Sequence, residues 1–237
     1  MPTDAAAPLP GAAASVVEVA TVEGPALAVV HVPGGRRGGL LVLGHGAGGR
    51  AGARTPDLLA VAQEALLGGW GVVLVDQPWV VAGRGIAVAP ARLDTAWVAV
   101  VEHLRTTDLL VTGEGPLVLG GRSAGARVAC RTAGALGADG VLALAFPLHP
   151  PERPDRSRAA ELPQDVVTLV VQGERDRFGS PADVAAVAGP RTEVVGVPGD
   201  HALRRDRGAL REAVRPWLGR LAGDRADEGE GRRESSR

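Results

Sequence analysis

The stretch Leu117-Val118-Leu119-Gly120-Gly121-Arg122-Ser123-Ala124-Gly125-Ala126-Arg127-Val128-Ala129 decides how this chain is read. Its first three residues form a short apolar run that predicts a buried strand, and Ala124–Leu136 predicts an amphipathic helix. Between them, Gly121-x-Ser123-x-Gly125 matches the nucleophile-elbow pattern, in which a serine sits on a sharp strand-to-helix turn. Side chains two positions either side of that serine would collide across so tight a turn, so glycine is required at both. The helix N-terminus behind the serine favours developing negative charge, through free N–H groups and the helix dipole. A glycine-rich turn with an incidental serine is the alternative, and the strand-and-helix context favours the elbow.

Outward from this motif, short apolar runs alternate with segments of helical periodicity. Strands are predicted at Val16–Val22, Ala26–Val32, Leu40–Leu43, Val72–Val75, Val141–Phe146, Val167–Val171 and Glu193–Val197. Helices are predicted at Pro56–Leu67, Ala91–Leu104, Pro181–Ala188 and Gly208–Leu221. Runs rich in Val and Leu without polar alternation are expected in strands covered on both faces. Their interleaving with helices predicts an α/β fold with a mostly parallel, doubly wound sheet. Ligands bind such sheets outside the carboxyl ends of the strands, so the residues just after each strand are the candidates for function.

Two further strand ends complete a hydrolytic set with Ser123. After Val167–Val171 comes Gln172-Gly173-Glu174-Arg175-Asp176, where either carboxylate is a candidate. Asp176 is preferred over Glu174 because the turn at Gly173 needs a few residues before a side chain can reach back. After Glu193–Val197 comes Pro198-Gly199-Asp200-His201, which puts an imidazole where a general base belongs. His149, in Phe146-Pro147-Leu148-His149-Pro150-Pro151, is the rival base, disfavoured because it precedes the acid along the chain. His31 reads as structural, His103 as solvated and Cys130 as a small core residue of the helix after the elbow.

The order Ser123, Asp176, His201, with the elbow, the acid loop and Gly199-Asp200-His201, resembles the α/β-hydrolase superfamily over roughly residues 16–222. Gly120-Gly121-Arg122-Ser123 together with Phe146-Pro147-Leu148-His149-Pro150-Pro151 is similar to its dienelactone-hydrolase-related branch. That branch includes the testis-expressed hydrolase-like protein and the hydrolase-like third subunit of the NSL acetyltransferase complex. The resemblance implies an eight-strand-type sheet and a serine hydrolase site. It differs from the dienelactone hydrolases proper in carrying Ser123 where they carry cysteine.

The resemblance also gives a role to Gly44-His45-Gly46-Ala47-Gly48-Gly49, after the third strand. Such a loop supplies half of an oxyanion hole and the residue after the nucleophile the other half, which implies the backbone N–H groups of Ala47 and Ala124. The alternative, a phosphate-binding loop, lacks the Gly-Lys-Ser/Thr ending and the dinucleotide spacing. His45 is then expected to orient the loop. The loop Asp76–Gly85 is the candidate substrate wall, with Trp79 giving apolar area and Arg84 able to hold a carboxylate; His149 is a third candidate for the pocket lining.

Only about 20 residues separate Phe146 from Val166, and they are rich in Pro and Arg, so no substantial lid is expected. An open site favours a small soluble carboxylic ester or thioester, hydrolysed through an acyl-enzyme. A catalytically silent interaction or scaffold protein on the same fold is the competing class. A dehalogenase or epoxide hydrolase would need a carboxylate in place of Ser123.

Bulk properties are consistent with an enzyme of this kind. The 237 residues are 45% hydrophobic and 22% charged, with a formal net charge of -1, which removes any electrostatic case for nucleic acid or an acidic membrane as partner. There is no Lys and no Tyr, so Lys Schiff-base chemistry and phenolic acids are excluded. A single cysteine cannot form an intramolecular disulfide. No apolar run reaches the roughly 18 residues of a membrane span. No His/Cys/Asp/Glu cluster has metal-ligand spacing, and neither cofactor nor metal is expected. Residues 1–14 read as a disordered lead, 15–222 as the domain and 223–237 as a disordered charged tail, with a cytoplasmic location as the default and the oligomeric state open.

Overall fold

The computed structural model describes residues 8–34, 38–48, 51–107 and 115–234, with side chains as far as 223. Eight strands form one sheet in the order β1-β2-β4-β3-β5-β6-β7-β8. They are β1 Ala12–Val19, β2 Ala26–Pro33, β3 Leu40–Gly44, β4 Gly71–Asp76, β5 Leu117–Arg122, β6 Gly140–Leu144, β7 Val167–Gly173 and β8 Thr192–Val197. β2 runs antiparallel to both its neighbours, and every pairing from β4 to β8 is parallel. The helices are α1 Pro56–Leu67, α2 Pro78–Val81, α3 Pro90–Arg105, α4 Ala124–Thr132, α5 Pro181–Ala185 and α6 Arg207–Glu234.

The continuous apolar runs of the central strands follow from burial on both faces. On β3, Leu41 and Leu43 join a core with Leu58 and Val61 of α1 and Trp217 of α6. Leu40 and Val42 of the same strand point the other way, into a core with Trp97 and Val100 of α3 and Val128 of α4. The period of two along a strand sends alternate residues to opposite layers, so a sheet sandwiched between helices needs apolar residues at every position. Each fully buried Leu or Val contributes about 1.5–3 kcal/mol relative to exposure.

Several boundaries move from their sequence positions. β1 starts at Ala12, inside the Ala-rich lead, because Ala12, Ala13 and Ala14 pair with Pro33, Val32 and His31 of β2. Backbone pairing there asks little of the side chains. β6 ends at Leu144 instead of Phe146, because Ala145 takes a positive φ of 47°. Four residues of the expected substrate wall, Pro78–Val81, fold as the one-turn α2, led by Pro78 at a position that favours a helix start. α4 gives way to turns after Thr132. The backbone of α6 continues beyond Leu221 to Glu234, through a segment whose Ala, Arg and Glu residues favour helix. Residues 1–7 and 235–237 of the two expected disordered ends lie outside the described residues, as does Gly49.

The connection from β6 to β7 contains one short 3-10 turn, Ala159–Glu161, and no helical cap. Glu161 fastens this connection to the helices beneath it. Its carboxylate pairs with Arg127 at 2.5 Å and with Arg131 at 2.8 Å, and Arg131 also holds Asp94 of α3. Burial pushes the Glu161 carboxyl up, but hydrogen bonds and charge from Arg127 and Arg131 outweigh it and hold it below the usual value. Among the described residues no helix is long and apolar enough to cross a membrane.

Two buried histidines couple this fold to pH. Burial, with a contribution from Arg54, lowers His31 below its ordinary 6.5. Burial lowers His45 as well, against the opposing Gly46 carbonyl and Asp76. Both imidazoles are therefore neutral in the fold, while the unfolded chain takes up protons below about pH 6.5. Their contribution to stability is complete above that pH and is lost as pH falls toward their folded values. Thermal unfolding should show a Tm that declines from pH 7 to pH 5, with a shallower decline in His31→Gln. A Tm that is flat or rising over that interval would contradict neutral burial of these rings.

Candidate active site

Three strand ends deliver three side chains to one point. β5 turns into α4 at Ser123, whose φ of 54° and ψ of -109° are unusual for a residue with a side chain. The turn is possible because of two glycines. A Cβ on Gly121 would lie 2.4 Å from the Gly44 carbonyl oxygen, and so would a Cβ on Gly125. The Ser123 N–H donates to the Leu144 carbonyl at 2.9 Å, which anchors the strained residue to β6. Strain of this kind costs of order 1–3 kcal/mol and persists only where the surroundings enforce it.

The imidazole of His201, in the loop after β8, lies between Ser123 and Asp176. Its Nε2 is 2.9 Å from the Ser123 Oγ, and its Nδ1 is 2.8 Å from Asp176 Oδ2. A carboxylate can only accept, so Nδ1 carries the proton and Nε2 is left free to accept from the serine hydroxyl. The Asp176 side chain is fully buried, whereas Glu174 is exposed. Asp176 Oδ1 accepts the Phe178 N–H at 2.9 Å, and Oδ2 also accepts from Gln172 Nε2 at 2.9 Å. The Gln172 amide further bridges the carbonyls of Phe146 and Gly179, at 3.1 and 2.8 Å. Phe178 stacks on the His201 ring, with centroids 4.2 Å apart and planes tilted by 34°.

The loop after β3 faces this group. Gly44, His45, Gly46 and Ala47 line a small cavity together with Ala124 and Gly125 of α4. His45 is buried and acts as a strut. Its Nε2 accepts the Gln77 N–H at 3.0 Å, so its Nδ1 donates to the Gly46 carbonyl at 2.9 Å. Trp79 on α2 is buried, with its ring edge-on to His45 at 5.2 Å, and it too lines the cavity. Arg84 is exposed and sits at a separate cavity beyond Trp79. The His149 N–H donates to the Phe178 carbonyl at 3.0 Å, which ties the Pro-rich connection to the acid loop. Its Nδ1 turns to the Pro150 carbonyl at 2.9 Å. Cys130 is buried on α4, and burial pushes its thiol up to about 12, which leaves it a protonated core residue. Among the described residues no group of three His, Cys, Asp or Glu could hold a metal ion.

Four residues that sequence reasoning left aside support this arrangement: Arg122, Asp57, Gln172 and Phe178. Arg122 is the variable residue of the elbow motif. Its Nη2 donates to the His201 carbonyl at 2.9 Å. Its Nε lies 2.8 Å from Oδ2 of Asp57, which is only 1% exposed in the first turn of α1. The contact is an ion pair whose N–H is not aligned as a hydrogen bond. A charged residue amid the apolar face of Pro56–Leu67 was the available signal, but its partner lies 65 positions away in the chain.

Known proteins share this fold. The family model described as "Alpha/beta hydrolase domain" matches residues 37–213. No curated protein matches. Among solved structures, the chain is similar to an α/β serine hydrolase without a lid from Xanthomonas campestris. The two are 23% identical, the alignment covers 90% of this chain and 98% of that one, and the TM-score is 0.69. A dienelactone hydrolase from Anabaena variabilis is 19% identical over 88% of this chain and 96% of its own, with a TM-score of 0.66. Est1E from Butyrivibrio proteoclasticus, solved with ferulic acid bound, is 15% identical over 87% and 99%, with a TM-score of 0.71. At these identities the likeness concerns the fold.

Removing one partner of the Arg122–Asp57 pair leaves a buried charge uncompensated, which typically costs about 3–5 kcal/mol. Arg122→Leu should therefore be destabilised by roughly that amount in denaturant unfolding. The double variant Arg122→Leu/Asp57→Leu should recover most of the loss, since two apolar groups leave no orphan charge. Additive losses in the double variant would show that the pair is not coupled.

Proposed function

Because this chain belongs to the α/β-hydrolase domain family, we propose that it is a serine hydrolase acting on small soluble carboxylic esters or thioesters. The observation that carries the proposal is the unbroken relay from the Ser123 hydroxyl through both His201 nitrogens to the buried Asp176. In the reaction, Ser123 Oγ bonds to the acyl carbon while its proton passes to His201 Nε2. The imidazolium is stabilised by Asp176 through Nδ1–H. The carbonyl oxygen becomes an oxyanion, bound by the backbone N–H groups of Ala47 and Ala124. Collapse of the intermediate breaks the bond to the alcohol or thiol, which leaves with the proton from Nε2. Water then attacks the acyl-enzyme and gives its proton to His201 Nε2, which passes it to Ser123 Oγ as the acyl–oxygen bond breaks and the acid leaves.

Two features support the substrate class. The β6–β7 connection carries no helical cap and is tied to α4 through Glu161, so a soluble substrate has direct access. The cavity beside Ala47 and Ala124 is narrow, which suits a short acyl group. A cytoplasmic setting is part of the same proposal, supported by the lone buried thiol of Cys130.

A fluorophosphonate probe should label the protein at Ser123, with the adduct located by mass spectrometry, and labelling should require His201. With an activated acetyl ester, Ser123→Ala should lower kcat by about 10⁴–10⁶-fold. Asp176→Asn should lower it by about 10⁴-fold, because the amide no longer fixes the reactive tautomer. Folded wild-type protein that neither labels nor turns over would instead favour a catalytically silent scaffold.

A further inference from the structure

Two cavities meet at one tryptophan. The inner one, enclosed by the Gly44–Ala47 loop and the start of α4, has free interior space close to that of a single water molecule. Trp79, Trp97 and Leu93 complete its lining. The outer cavity is larger, about 180 Å³, and lies between the β1–β2 turn at Gly24-Pro25 and the stretch from Pro78 to Ala96. Only Gln77 and Trp79 line both. They are consecutive to the end of β4, and the wall between the two spaces is therefore the Trp79 indole with the Gln77 side chain beside it.

We propose that Trp79 sets the acyl-chain length this site accepts, by separating the small inner cavity from the larger outer one. This rests on the reading of Ser123 as the nucleophile, since the inner cavity borders Ala47 and Ala124. On this proposal an acyl chain that enters the inner cavity from the side of Ala47 and Ala124 is stopped by the indole. Excess methylenes have nowhere to go in a close-packed wall, and a mismatch of one methylene typically changes specificity by about 10–200-fold.

The wall is built to be replaceable. Trp79 lies on the four-residue α2, outside the sheet, and its ring is held by packing and by the edge-on contact with His45. Its Nε1 is buried without a hydrogen-bond partner among the described residues, and the same holds for Gln77 Oε1. Truncating the indole therefore removes an unsatisfied donor rather than creating one. Trp97 differs in position. Both rings belong to one core, but Trp97 lines only the inner cavity, so shortening it deepens that pocket without joining it to the outer one.

The test is the acyl-length profile of p-nitrophenyl esters from acetate to octanoate, read as kcat/KM and as the rate of Ser123 labelling by alkyl fluorophosphonates of matching length. Wild type should prefer acetate over octanoate by at least about tenfold. In Trp79→Ala, with Trp79→Leu as a second variant, the octanoate-to-acetate ratio should rise by at least about tenfold. Trp97→Phe should raise only the ratio for propionate or butyrate. Circular dichroism establishes that each variant is folded. An unchanged ratio in both folded Trp79 variants, with wild type active on acetate, overturns the role of Trp79 and leaves the hydrolase reading intact. Absence of Ser123-dependent hydrolysis and labelling in wild type overturns both.

Discussion

The Gly44 carbonyl oxygen lies where a single added carbon on either Gly121 or Gly125 would be 2.4 Å from it. That contact lets the end of β5 fold back on the start of α4, and it drives Ser123 into a backbone conformation that its side chain would otherwise avoid. The same close approach brings the loop after β3 against the helix N-terminus. Ala47 and Ala124 come to border one cavity for the same reason that Ser123 is strained. A larger residue at either glycine would push the β5–α4 turn and the loop after β3 apart, since both depend on the one backbone-to-backbone contact.

Around this turn, buried polar groups set orientation where apolar packing cannot. Packing is indifferent to rotation of a ring, whereas hydrogen bonds are not. Gln172 gathers Asp176, Phe146 and Gly179 through a single amide, and so joins the ends of β6 and β7 to the acid. Arg122 does the same on the other side, from the His201 carbonyl to the carboxylate of Asp57. Phe178 then covers the His201 ring, which limits its tilt and its access to water. His201 is thereby constrained at its backbone, its Nδ1 and its face, and Nε2 alone remains free for chemistry.

The connection after β6 shows how a fold can omit a layer. Prolines recur along it and disfavour an independent helix that could pack as a cap. The Arg127–Glu161–Arg131–Asp94 chain ties it to α4 instead. These charges are half-buried and paired on both sides, so their value lies more in placing the loop than in net stability.

Much of this was legible in the residues alone. Apolar runs too short for helices and unbroken by polar alternation specified strands covered on both sides, because only those bury every side chain. Gly-x-Ser-x-Gly specified a turn that no other residues permit. The positions of Asp176 and His201 just past predicted strands followed from the parallel sheet, whose strand ends share one edge. Choices among neighbours were less open to reading. That Asp176 faces inward while Glu174 faces solvent depends on where the turn after β7 points, and local sequence does not encode that direction. The partnership of Arg122 with Asp57, the bridging by Gln172 and the burial of Trp79 between two cavities all join segments distant along the chain. Local periodicity records which residues seek the interior. Which of them meet, and at what distance, is decided only when the layers close, because those contacts are made across the sheet and between loops rather than along the chain.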